Sequence, residues 1–136
     1  ARRRELSRLY VQALSEVFQS GALSRPYIVI EHSACHLFPV LFPDEDVRDD
    51  ARMRLMVAGI TTQIHYRPIV PLHPYYVERF GYREGMWPVA EDAARRLLSL
   101  PLHPGMRDSD VEAVAQAVGR LCLPSVATGS SVRAPR

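Results

Sequence analysis

The residues with the widest chemical reach fall in one stretch. His65-Tyr66-Arg67 runs into a proline-rich segment that holds His73. Arginine suits phosphate or carboxylate, while tyrosine and histidine make directional hydrogen bonds. The set therefore fits an anionic, hydroxylated ligand, placed where a strand gives way to a loop. The plainer alternative is that His65 is only a solvent-facing strand residue. A second group, His32-Ser33-Ala34-Cys35-His36, offers three possible metal ligands. Structural zinc wants four ligands in spaced pairs, and the only other cysteine is Cys122, so a loop with a small buried cysteine is expected and no metal. Arg2, Arg3, Arg4 and Arg8 could touch phosphates, but without interleaved aromatics a solvated helix face is expected. No GxSxG occurs, and Cys35 has only the flanking His36 to activate it, so no catalytic residue is expected in this chain. All seventeen basic residues are arginine. No side chain can form a Schiff base with a carbonyl or with pyridoxal phosphate, and a P-loop is excluded for the same reason.

Something must hold the 65–73 stretch in place. The chain has 136 residues, 47% of them hydrophobic, which suits one domain with one core. A net charge of +2 argues against nucleic acid or an anionic membrane as partner. No apolar run approaches the ~20 residues of a membrane span. Ala1-Arg2-Arg3-Arg4-Glu5 has no apolar segment behind it, so no signal peptide is visible. The chain lacks an initiator methionine and reads as an excised or processed piece. Two cysteines make no disulfide scaffold, and a reduced, cytoplasmic setting is expected.

Periodicity predicts a first helix over residues 2–18, with Leu6, Tyr10, Ala13, Leu14 and Val17 inward. Strands are expected over 27–31 and 36–42, the latter on an edge or at a bulge because of Pro39. Carboxylates at 44–46 open a helix whose inner face is Val47, Ala51, Leu55 and Ala58, closed by Gly59. Residues 60–66 alternate cleanly and predict a central, half-buried strand, with Thr61, Gln63 and His65 on one face. Prolines 68, 71 and 74 stiffen the following loop. A short helix over 74–80 ends at Gly81, and Pro88 opens another. Leu98, Leu100 and Leu102 predict a strand. A last helix capped by Asp108 or Ser109 turns Val111, Val114, Ala115, Val118 and Leu121 inward. From Pro124 the composition predicts a disordered tail. The class is α+β: about three short strands, of antiparallel type, with four to five helices packed on the sheet.

Three segments together resemble the small C-terminal domain of the DegT/DnrJ/EryC1/StrS family of pyridoxal-phosphate-dependent sugar aminotransferases. They are Gly59-Ile60-Thr61-Thr62-Gln63-Ile64-His65-Tyr66, the run from Pro74-Tyr75-Tyr76 to Arg83-Glu84-Gly85, and the run from Trp87-Pro88-Val89-Ala90-Glu91 to Pro104-Gly105-Met106. Arg2-Arg3-Arg4-Glu5-Leu6 looks like the start of the helix linking the family's two domains, placed at 1–18. His36-Leu37-Phe38-Pro39-Val40 looks like its first C-terminal strand. The resemblance covers about residues 1–121, leaves 122–136 as tail, and is nearest the 4-amino-4,6-dideoxy-hexose transaminases of the pseudaminic acid pathway. It implies glutamate as donor, a nucleotide-linked 4-keto-6-deoxy sugar as acceptor, and a homodimer with sites between subunits. It also implies that the cofactor and its lysine lie in a large domain outside this chain. Substrate contacts are implied at His65, Tyr66, Arg67 and His73.

One departure stands out. The subgroup's loop reads His-Tyr-x-Pro-Val-His-Leu, whereas this one is a residue longer, from His65 to His73. The second histidine's place falls near Pro71, which leaves open whether His73 replaces it. The leading expectation is an enzyme's small domain, a fragment or part of a split enzyme, inactive alone. The alternative is a degenerate, non-catalytic domain from a truncated gene. A complete small hydrolase would need a nucleophile signature that is missing.

Overall fold

In the computed structural model, residues 1–26 and 29–123 are described. Among them are six α-helices, two short 3-10 turns and two strands, an α+β arrangement as expected. The first helical stretch divides into α1 (Arg2–Ala13) and α2 (Ser15–Gln19), joined at Leu14. Its inner stripe holds at Leu6, Tyr10, Leu14 and Val17, all buried, while Ala13 faces out. The Tyr10 ring stacks on Phe38 at 4.7 Å, and its hydroxyl donates to Pro101 O at 2.8 Å. Burial raises the Tyr10 pKa further above the tyrosine norm, so the phenol stays a donor.

β1 (Phe38–Leu41) and β2 (Leu97–Leu100) pair antiparallel, with Phe38 opposite Leu100 and Leu41 opposite Leu97. Ser24 bridges to the outer edge of β1, and Gln63 to the outer edge of β2. The Ser99 N–H and C=O both go to Gln63, at 2.7 and 3.1 Å. The Pro39–Ser99 pair is therefore a non-hydrogen-bonded one, and the N–H that proline lacks is not missed. Val40 and Leu98 are fully buried between this sheet and the helices. α1 and α6 (Asp108–Cys122) pack against each other, α6 through Val111 and Val118.

Two expected strands are corrected. Residues 60–66 form no strand: their single ladder contact is Gln63 with Ser99, and β2 takes the central place. The alternation survives, since Ile60 and Ile64 pack on the core while Thr61 and Gln63 are exposed. Only the ladder is missing, because the chain leaves the sheet after one bridge. In the expected strand over 27–31, Ile30–His32 is a 3-10 turn. Tyr27 and Ile28 lie outside the described residues, as do 124–136, where most of the expected tail falls.

α3 (Glu45–Val57) starts as expected, with the Asp44 carboxylate accepting from Val47 N at 2.8 Å. Its inner face is rotated from the expected one. Arg48, Ala51 and Leu55 are buried, whereas Val47 and Ala58 are exposed. Arg48 is held by Asp49 at 2.7 Å and Glu45 at 3.5 Å, and it donates to Leu97 O at 3.4 Å. These partners let a charged side chain take a core-facing place. α4 (Pro74–Phe80) and α5 (Pro88–Arg96) begin at prolines, and α4 stops at Gly81, whose φ of 69° favours glycine. In α5 Ala94 is buried, while Val89 points to solvent. The N-cap of α6 is Arg107, not Asp108 or Ser109. The Asp110 carboxylate reaches back to Arg107 N at 2.8 Å, and Asp108 is taken by Arg2 at 2.7 Å. Among the described residues, no helix is long and apolar enough to cross a membrane.

Candidate functional site

The turn after Gln63 carries the residues singled out from the sequence. His65 is half-buried, and its Nδ1 lies 3.0 Å from the Ser99 hydroxyl. Its ring meets the Tyr66 ring edge-on, with centroids 5.2 Å apart. Along a strand the two would sit on opposite faces. Here they stand together because the chain has left the sheet. The His65–Tyr66 and Arg67–Pro68 peptides are both cis. Tyr66 is 61% exposed. The Arg67 guanidinium pairs with Glu45 at the start of α3, the same carboxylate that faces Arg48. The start of the loop is thus fixed twice, to β2 through His65 and to α3 through Arg67, with Tyr66 exposed between them.

Arg67 and Pro68 divide two clefts. On one side an open cleft of about 270 Å³ is lined by Arg67, Ile69 and Leu72 of the loop, and by Glu84, Glu91 and Arg95. Glu91 there accepts from Gly85 N at 2.9 Å and from Trp87 N at 3.0 Å. These two main-chain donors, Gly85 first, hold its carboxyl below the usual glutamate value. On the other side, Arg48, Arg52 and Arg67 meet Asp49 and Ile64 around a wider, shallower depression. Both linings mix basic and acidic groups, which suits polar, charged ligands. His73 is exposed, and its carbonyl accepts from Tyr76 N and Val77 N at the start of α4. The structure brings His65, Tyr66 and Arg67 together. His73 lines neither cleft and shares no hydrogen bond with the other three.

The other sequence candidates have local roles. Cys35 is buried with φ of 47°, its thiol near the carbonyls of Ile30 and Ser33, as a loop with a small buried cysteine should be. Arg2, Arg4 and Arg8 do more than face solvent. Arg2 bonds Met106 O and Asp108, Arg4 donates to Ser33 O, and Arg8 pairs with Glu31. They stitch α1 to α6 and to the 3-10 turn at Ile30–His32. Sequence reasoning missed Ser99, Glu45 and Glu91. Glu91 alone left a signal: an acid just inside a helix that starts at Pro88, placed to reach back to the residue before it.

A family model described as the DegT/DnrJ/EryC1/StrS aminotransferase family matches residues 1–119. The chain belongs to this family. The spore coat polysaccharide biosynthesis protein SpsC of Bacillus subtilis (strain 168) is 37% identical over 123 residues, covering 86% of this chain and 30% of SpsC. The dTDP-4-dehydro-2,3,6-trideoxy-D-glucose 4-aminotransferase of Saccharopolyspora spinosa is 36% identical over 114 residues, 84% of this chain and 28% of that enzyme. DesV of S. venezuelae, solved in complex with a ketimine intermediate, superposes with a TM-score of 0.78 at 31% identity, over 90% of this chain and 32% of DesV. The chain therefore spans about 30% of the length of the curated relatives it matches. Spr1654 of Streptococcus pneumoniae, with the same fold, is known in pyridoxal- and pyridoxamine-phosphate forms.

Proposed function

We propose that this chain is the small C-terminal domain of a pyridoxal-phosphate-dependent aminotransferase. The enzyme moves an amino group from glutamate to a nucleotide-linked 4-keto-6-deoxy sugar in the cytoplasm. Residues 1–121 make up the domain, and 1–18 link it to a large domain. The family match over 1–119 and the name of the Saccharopolyspora relative support the reaction class. The cofactor needs a side-chain amine to anchor it, and this chain has no lysine. Its residues do not supply that anchor, so the cofactor belongs to the large domain of the same homodimeric enzyme, and this chain alone is inactive.

The chain's own part is to hold the sugar nucleotide. The observation that carries this role is the doubly fixed loop, with His65 tied to Ser99, Arg67 tied to Glu45, and Tyr66 exposed between. A segment held on both sides of Tyr66 loses little freedom when a ligand arrives. His65 and Tyr66 supply directional hydrogen bonds to the sugar, and Arg67 adds charge toward its phosphates. His73 stands further along, beyond Pro71, near which the subgroup's second histidine falls. In the enzyme assembled with its large domain, His65→Ala should raise the KM for the sugar nucleotide about tenfold, the ~1.4 kcal/mol of one hydrogen bond. The absorbance of the bound cofactor should not change. An unchanged KM, or loss of the cofactor signal, would remove His65 from the site.

A further inference from the structure

The Ser99 hydroxyl sits in β2, 3% exposed, opposite Gln63 and diagonal to His65. Its one hydrogen-bond partner among the described residues is His65 Nδ1, at 3.0 Å. Two assignments fit that distance. In the first, Nδ1–H donates to the serine oxygen, and the serine O–H is left buried with no acceptor. In the second, the serine O–H donates to a bare Nδ1, and nothing is left over. Buried donors are paired in folded proteins because an unpaired one keeps the full cost of leaving water. The second assignment is therefore the stable one.

We infer that Ser99 is a positioning residue that locks His65 as the Nε2–H tautomer and so makes it a hydrogen-bond donor to the substrate. A neutral imidazole with Nδ1 occupied as acceptor carries its proton on Nε2. Nε2 has no partner among the described residues and is the ring's remaining polar atom. His65 then offers an N–H to an acceptor oxygen, such as a sugar hydroxyl, keto or phosphate oxygen, and is not a base that takes a proton at Nε2. The same bond fixes the ring's direction, because Ser99 is itself anchored by two main-chain bonds to Gln63. This rests on the proposal that His65 faces the substrate, but the two fail separately.

The test is 15N NMR of the imidazole in the 136-residue chain at pH 8, where an ordinary histidine is neutral. The wild-type chain should show His65 with Nε2 protonated and Nδ1 bare, the Nδ1 resonance displaced by an incoming hydrogen bond. Ser99→Ala should return Nδ1 to the position of an unbonded nitrogen and let a minor Nδ1–H form appear, while Ser99→Thr should keep the wild-type pattern. An Nδ1–H tautomer in the wild-type chain overturns the inference whether or not a variant folds. So does an Nδ1 resonance that Ser99→Ala leaves in place. The expected tautomer together with an unchanged sugar-nucleotide KM for His65→Ala keeps the bond but overturns the donor role.

Discussion

Glu91 gives its carboxylate to the main chain of the turn before α5, bonding the amides of Gly85 and Trp87. Those bonds stabilise the charged form, so the folded pKa lies below the ordinary 4.5. The stabilisation is complete above the unfolded value and is lost as pH falls through the lower, folded one. The Gly85 and Trp87 amide resonances should therefore titrate together with a midpoint below 4.5. Separate midpoints, or one at or above 4.5, would break the link. At this scale the sequence was readable where chemistry depends on neighbours along the chain. The opposed faces of Ile60 and Ile64 against Thr61 and Gln63 were visible from alternation alone. Ser99 and Glu45 were not, because nothing in a leucine-rich run or an acidic helix start reports what packs beside it from 34 or 22 residues away. The separation of His65 from Ser99 is the first of these and that of Arg67 from Glu45 the second.

The elements followed their punctuation more closely than their periodicity. Pro74, Pro88, Gly59 and Gly81 marked helix ends because each fixes or permits a backbone conformation on its own. Inner faces were less legible. Arg48 replaced Val47 on the inner face of α3 because Glu45, Asp49 and the Leu97 carbonyl receive it, and periodicity cannot see such partners. The strand expected over 60–66 failed for a related reason: alternation reports a two-sided environment, not a ladder. The Asp44 cap was legible, and its effect is measurable. Asp44→Ala should lower the urea midpoint by the equivalent of about 1 kcal/mol with the m-value unchanged. No change in midpoint would mean that another acceptor takes up the Val47 N–H.

Over the whole molecule the apolar surface is unevenly shared. The stripe of α1 is covered by the domain's own core. All seven residues of α4 are exposed, and Tyr75, Phe80 and Val89 are among the large apolar side chains left to solvent. The Tyr76, Phe80 and Tyr82 rings stack in series there. Surface of this kind promotes association. Sedimentation of the 136-residue chain should show self-association that Phe80→Glu reduces, and a monomer at every concentration would count against it. The family and the α+β class were legible because motif residues cluster at turns. The substrate role proposed for the loop is tested most directly in the longer protein proposed above. The native protein carrying these residues should be purified, its intact mass measured, and its glutamate-dependent amination of a nucleotide-linked 4-keto-6-deoxy sugar assayed. The account predicts a polypeptide, or a complex with a second chain, roughly three times as long as this one, as in relatives that this chain covers to 30%. That protein should turn over the sugar. A lone 136-residue protein, or a longer one that leaves the keto sugar unchanged in the presence of glutamate and pyridoxal phosphate, would contradict it.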